Sequence, residues 1–243
     1  MIVIEFFCGE NKSFSKEAEA RGHETFTIDN NPKTNPDLCI DIMDLTLEMI
    51  PEKYRHPDVF WASLPCIQYS HAKRTGVRDI EGANKLVKKT LEWRDILKPE
   101  IWIMENPQTG LLKKQPILNT IFYQMPYTDV SYCKYGLPYR KQTRLWTNLK
   151  FIGKICKKDC KFMNGKKHIG SAGNGRKEYT DKNYRQAEKH QVPNELCLEL
   201  VKCCEKKCVK SVYCEQPKVK SELPSESILM KGGEAKNNGK NKQ

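Results

Sequence analysis

The chain has 243 residues, enough for one large domain with a small appendage and a sizeable core. Its 42 Lys and Arg against 30 Asp and Glu give a net charge of +12, a balance that suits a polyanionic partner such as nucleic acid. No apolar run approaches the ~20 residues of a membrane-spanning helix, and "MIVIEFFCGE" does not read as a secretion signal, so a cytoplasmic protein, or a nuclear one in a eukaryotic host, is expected. Eleven cysteines in such a chain point to free thiols, metal ligands or a catalytic thiol over a disulfide framework.

"IVIEFF" at residues 2–7 is a β-type run, and "CGENKS" turns the chain into a helical stretch, "FSKEAEARG", closed by Gly22. "HETFTIDNNP" supplies a second strand ending on Asp29, and "PDLCIDIMDL" a short third one. In "DVFWASLPCIQYS", residues 58–63 form a buried strand rich in β-formers, which Pro65 ends because it has no N–H to donate. Cys66 therefore stands just past the carboxyl end of a strand, where open α/β sheets place their ligands. On local sequence alone the thiol is either a small buried hydrophobe, the usual fate of cysteine, or a group that faces a ligand. "GANKLVKKTLEWRDILKP" has apolar residues at helical spacing and Pro99 beyond its end. "EIWIMENP" is another buried strand, "QPILNTIFYQM" a helix, and "TDVSYCKYG" and "RLWTNLKF" the last two strands.

Strands alternating with helices predict a doubly wound, Rossmann-like α/β sheet over residues 1–150. From 151 to about 185 the chain is basic and poor in large apolar residues, which predicts a small irregular lobe. Residues 186–210 return to helical periodicity, and 211–243 have the composition of a disordered basic tail. Cys156, Cys160 and His168 form a C-x3-C-x7-H pattern, and Cys197, Cys203, Cys204 or Cys208 could add a fourth ligand. A structural zinc would hold a lobe with so little core; unliganded thiols are the alternative.

Four strand ends carry polar residues: Cys8-Gly9, Asp29, Pro65-Cys66 and Glu105-Asn106. Their order and spacing resemble the cytosine-C5 DNA methyltransferase family over most of residues 1–150, with a fainter echo at 184–200. The resemblance implies S-adenosyl-L-methionine as cofactor and DNA as partner. It places the cofactor among Phe7, Cys8, Gly9, Asn11, Asp29 with Asn30, Asp41-Ile42 and Pro65, and assigns Asp29 the ribose hydroxyls. It implies that Cys66 is the nucleophile, that Ser70 keeps the serine position four residues on, and that Glu105 of "ENP" binds the cytosine ring. "GVRDIEGANKL" is similar to the family's short motif with Asp79 and Gly82, and the loop from Ile67 to Glu81 to its lid over the base.

This chain departs from the family pattern in places. Leu64 stands for the first of two prolines, and Ile67 for a glutamine. "YGLPYRKQTRLWTN" is similar to the family's Tyr-Gly-x-Pro motif, but counting from Tyr135-Gly136 its two arginine positions fall on Lys141 and Thr143, and Arg144 is the residue expected to meet the cytosine O2. "EKHQVPNEL" is similar to the motif that returns to the cofactor, with His190 and Val192 as its contacts. An RNA cytosine-C5 methyltransferase and a catalytically silent cofactor- and nucleic-acid-binding protein are the alternatives.

Overall fold

The computed structural model describes residues 1–119, 125–170 and 191–209. Seven strands form one sheet: β1 (Ile2–Phe6), β2 (Glu24–Asp29), β3 (Leu38–Cys39), β4 (Val59–Ser63), β5 (Ile101–Pro107), β6 (Tyr127–Ser131) and β7 (Gln142–Thr147). Their spatial order is β3-β2-β1-β4-β5-β7-β6. The first five are parallel, while β7 runs antiparallel to both β5 and β6. Between β6 and β7 there is only a 3-10 turn, with no helix to carry the chain back over the sheet, so β7 returns antiparallel. The strand order reverses between β1 and β4, which opens a crevice at their carboxyl ends.

Helices α1 (Ser13–Glu19), α2 (Ile80–Leu97), α3 (Pro116–Asn119) and α4 (Asn194–Val209) accompany the sheet. Alternation along the strands sends their apolar side chains to both faces. Val3, Val59, Trp61 and Ile103 pack with Phe14 and Ala18 of α1 and Leu196, Leu200 and Val201 of α4. Ile4, Phe6, Phe60 and Met104 pack on the opposite side with Val87, Trp93 and Leu97 of α2. Phe14 stacks on Trp61 with ring centroids 4.6 Å apart. Each such large side chain, fully buried, contributes about 1.5–3 kcal/mol. The sheet is thus covered on both faces, as its near-continuous apolar strands require.

Helix α2 begins at Ile80, two residues before the expected start, because Asp79 caps it through a 2.7 Å hydrogen bond from the Gly82 amide. A Cβ on Gly82 would stand 2.1 Å from Asp79 Oδ2, so cap and glycine form a matched pair. The helix expected over 115–125 is described over Pro116–Asn119 only, residues 120–124 lying outside the described chain. The extended run expected through Gly136 stops at Ser131 and becomes a 3-10 turn, Tyr132–Tyr135. That turn buries Tyr132 and Tyr135 on one side, three residues apart, and ends at Gly136 with φ +92°.

After β7 an irregular lobe follows, its only strands among the described residues being the hairpin β8 (Met163–Asn164) and β9 (Lys167–His168). The rest of the expected lobe, 171–185, and the tail, 211–243, lie outside the described residues, as does the start of the returning segment. No described helix is long and apolar enough to cross a membrane.

Candidate active site

A cavity of about 330 Å³ sits over the crevice, lined from β1 by Phe7 and Gly9, from β2 by Asp29, from β4 by Pro65 and Cys66, and from β5 by Glu105. In the β1–β2 half, Asp29 Oδ2 accepts from the Gly9 amide at 3.0 Å and Oδ1 from the Asn31 amide at 2.9 Å. Both oxygens are thereby held in place, and each keeps accepting capacity for a ligand hydroxyl. Phe7 has φ +56°, a left-handed conformation costly for an aromatic residue, and is held there by donating its amide to Ile28 O at 2.8 Å. Gly9 takes φ +59° without the steric cost that a side chain would bring. Cys8 and Asn11 also line this half; burial, with Glu5 and Asp29 nearby, pushes the Cys8 thiol up to about 12.

Glu5 is a wall residue that the sequence reading overlooked. It is buried, accepts from the Ser15 amide at 2.9 Å in the first turn of α1, and burial raises it to about 7 against the opposing pull of Ser15, the Phe14 amide and Lys12. The signal was a single acid inside "IVIEFF".

In the β4–β5 half, the register pairs Ser63 with Glu105. The turn beyond is tied to β5 by Leu64 N donating to Glu105 O at 3.2 Å and Asn106 Nδ2 donating to Leu64 O at 2.8 Å. Cys66 is therefore set beside Glu105 by backbone geometry. Burial raises the Cys66 thiol above its usual value; Lys141 opposes that rise and Glu105 adds to it. Glu105 is buried and accepts a 2.9 Å hydrogen bond from the Tyr132 hydroxyl, itself pushed well up by burial and by Glu105. Ser70 faces a second recess of about 240 Å³ that shares Cys66 and Pro107, and its Oγ accepts from the Ala72 amide at 3.1 Å.

Several expected site residues stand elsewhere. Arg144 makes a two-pronged pair with Asp129, 2.8 and 2.9 Å, with its guanidinium 3.6 Å from the Tyr127 ring centroid. It is in register with Asn106 whereas Glu105 is in register with Leu145, so strand alternation puts Arg144 on the face away from Glu105. The cation that lines the cavity is Lys141, its Nζ 4.8 Å from the Tyr132 ring centroid. Asn30 is exposed and absent from the wall, where Asn31 takes its place. Asp41 turns back to accept from the Met43 amide, and Ile42 is buried in the core with its carbonyl accepting from Trp93 Nε1; neither lines the cavity. Val192 lines it, and His190 lies outside the described residues.

Cys156, Cys160 and His168 do come together, but the fourth group beside them is Cys133, from the turn after β6. The four residues considered for that position are all on α4, where Cys197 and Cys204 are buried in the core.

No protein-family model matches the chain. A curated protein of frog virus 3 (isolate Goorha), "Probable DNA (cytosine-5)-methyltransferase", is 28% identical over 231 residues, 84% of this chain and 100% of that protein. Among solved structures, a candidate DNA modification methyltransferase encoded in an Escherichia coli prophage is similar at TM-score 0.48 and 19% identity, over 76% of this chain and 57% of that one. A mutant of Spodoptera frugiperda DNMT2 is similar at TM-score 0.45 and 16% identity, over 64% and 55%. The chain thus spans the viral relative's whole length and little more than half of either solved chain.

Proposed function

We propose that this chain, a member of the cytosine-C5 DNA methyltransferase family, methylates C5 of a cytosine turned out of duplex DNA, with Cys66 as nucleophile and S-adenosyl-L-methionine as donor. The observation that carries the reading is the placement of Cys66 and Glu105 at the ends of neighbouring parallel strands, on the wall of a cavity whose other half holds Phe7, Gly9 and Asp29.

The β1–β2 half fits the donor: an aromatic ring at Phe7 for adenine, a fixed carboxylate at Asp29 for the two ribose hydroxyls, and an acid at Glu10 to complement a sulfonium cation. When bound, S-adenosyl-L-methionine supplies an electrophilic methyl group. Cytosine C5 is too weak a nucleophile to take it up unaided. Addition of the Cys66 thiolate to C6 forms a C–S bond, breaks the C5–C6 double bond and leaves its electron pair on C5. Glu105, held by Tyr132, accepts from the exocyclic amine and shares a proton with N3, stabilising the charge that addition creates. That contact also selects cytosine. Lys141 complements the thiolate at the start and end of the cycle. Once the electron pair on C5 has bonded the methyl group, loss of the C5 proton to a water molecule leaves the C5–H pair to re-form the C5–C6 double bond as the C6–S bond breaks, and the sulfur departs with the C–S pair as thiolate.

Duplex DNA carrying 5-fluorocytosine tests this, because fluorine cannot leave as a cation and the adduct cannot resolve. A donor-dependent complex that survives denaturing gels, and that Cys66→Ser abolishes, is the expected result. Trapping by fluorinated RNA and not DNA would transfer the reading to RNA. Absence of trapping with both, in protein that binds the donor, would make the chain a silent binding module.

A further inference from the structure

The ligand atoms of Cys133, Cys156, Cys160 and His168 all lie within 4.8 Å of one another, and Cys156 Sγ is 3.5 Å from His168 Nε2. A tetrahedral zinc ion with bonds of about 2.3 Å to sulfur and 2.0–2.1 Å to nitrogen requires an S···N separation of about 3.5 Å and S···S separations of about 3.8 Å. Three thiols and an imidazole are soft donors, which excludes calcium and magnesium as the natural occupant. All four residues are free of disulfides, and no carboxylate belongs to the set.

The surroundings need a staple. Ile152, Ile155 and Ile169 of the lobe are exposed at 93%, 39% and 46%, so these side chains give it little core. The four ligands come from three separate pieces: the turn after β6, the loop after β7, and strand β9. Backbone contacts already align the first two. Ser131 N donates to Lys154 O at 2.9 Å, Cys156 N donates to Ser131 Oγ at 3.1 Å, and Lys154 N donates to the Tyr135 hydroxyl at 2.9 Å. Cys133 directly follows Tyr132, whose hydroxyl holds Glu105.

We propose that Cys133, Cys156, Cys160 and His168 bind one structural zinc ion, which fastens the lobe to the edge of the catalytic sheet and keeps Tyr132 seated against Glu105. The first half stands on the ligand geometry alone; the second rests on the reading of Glu105 given above. Tyr132 is a positioning residue, acting through Glu105. The metal closes a link between the sheet and a lobe whose described residues bury little core of their own.

Metal analysis of the full chain, produced in zinc-supplemented medium, tests the site. About one zinc per chain is expected, with cobalt(II) replacing it to give the intense visible absorption of a tetrahedral thiolate centre. Cys133→Ser and Cys160→Ser are each expected to lose the metal, while Cys39→Ser, at an exposed cysteine outside the cluster, keeps it. Wild-type protein that folds without zinc and gives no tetrahedral cobalt spectrum overturns the site, as does Cys133→Ser protein that retains full occupancy. For the second half, chelated protein that keeps its circular dichroism should bind the donor as before and trap fluorocytosine on the order of tenfold to a hundredfold more slowly. An unchanged trapping rate after metal removal overturns the coupling while leaving the site in place. Absence of trapping in the zinc-loaded protein, by contrast, bears on the proposed function and not on the metal.

Discussion

Glu5→Gln gives the most direct test of how the cavity wall is built. Burial lifts the Glu5 carboxyl from 4.5 in the open to about 7 in the fold, so between those values the folded chain holds a proton that the unfolded chain has released. Stability from this group is therefore fully present below about 4.5 and is lost as pH rises through about 7. At about 1.4 kcal/mol for each tenfold change in proton affinity, the whole effect is about 3 kcal/mol, of which about 2–3 kcal/mol falls between pH 5 and pH 8. Glutamine keeps an oxygen to accept from the Ser15 amide, a bond of 2.9 Å in the wild type, but it cannot ionise. Urea unfolding of both proteins across that range should show wild-type stability falling relative to the variant by this amount as pH rises, with the variant the more stable at pH 8. Parallel curves for the two proteins would refute the assignment of a buried, proton-retaining acid to the wall.

Asp29→Ala removes the proposed acceptor for ribose hydroxyls and should weaken donor binding by about 2–4 kcal/mol in calorimetry; it also strands the Gly9 and Asn31 amides, so a lowered melting temperature accompanies it. Lys141→Ala and Arg144→Ala should separate: the first slows fluorocytosine trapping at little cost in stability, while the second breaks the pair with Asp129, lowers stability by about 1–3 kcal/mol and leaves the trapping rate of folded protein unchanged. The reverse pattern in the same two assays would restore Arg144 to the site. Gly153→Ala would bring a Cβ within 2.1 Å of Asp129 O and 2.8 Å of Val130 Cγ1, so the lobe must shift on β6. A loss of about 1–3 kcal/mol, with faster proteolysis around residues 151–170, is expected.

What was legible in the sequence was whatever a strand end decides locally. An apolar run followed by glycine, aspartate, proline-cysteine or glutamate-asparagine marks the carboxyl rim of a parallel sheet, and the rim is where Gly9, Asp29, Cys66 and Glu105 meet. Arg144 was not legible because a one-residue shift along a strand moves a side chain to the other face. Only the register of β7 on β5, Leu145 with Glu105, determines which residues face the cavity. Lys141, one of the two positions at which the family pattern has an arginine, is the cation on the cavity wall. Cys133 was hidden for another reason. It lies 23 residues before Cys156, beyond any short ligand spacing, and reaches the cluster only because the chain turns at Tyr132–Tyr135 where a continuing strand was expected. Asp41 and Ile42 stand off the cavity wall because Asp41 turns its carboxylate onto the Met43 amide and Ile42 packs into the core.

The charges around the cavity are sorted in a way that matches the order of the proposed chemistry. Acids occupy the β1–β2 half, where Glu10 and Asp29 stand, and the cation Lys141 lies near the thiol in the other half, with Glu105 nearby. A cationic donor is attracted to the first half and a polyanionic substrate to the second, so the two partners do not compete for one surface. The resting thiol is kept protonated by burial and by Glu105, and Lys141 is the counterweight. A neutral thiol is a poor target for oxidation and a poor nucleophile. On the proposed reading, as a base fills the site and Glu105 engages its ring, the carboxylate that opposed ionisation of Cys66 is occupied elsewhere while Lys141 stays in place. In the proposed mechanism the thiolate is then favoured at the moment C6 is within reach, so that a fold that buries this thiol can still use it as a nucleophile.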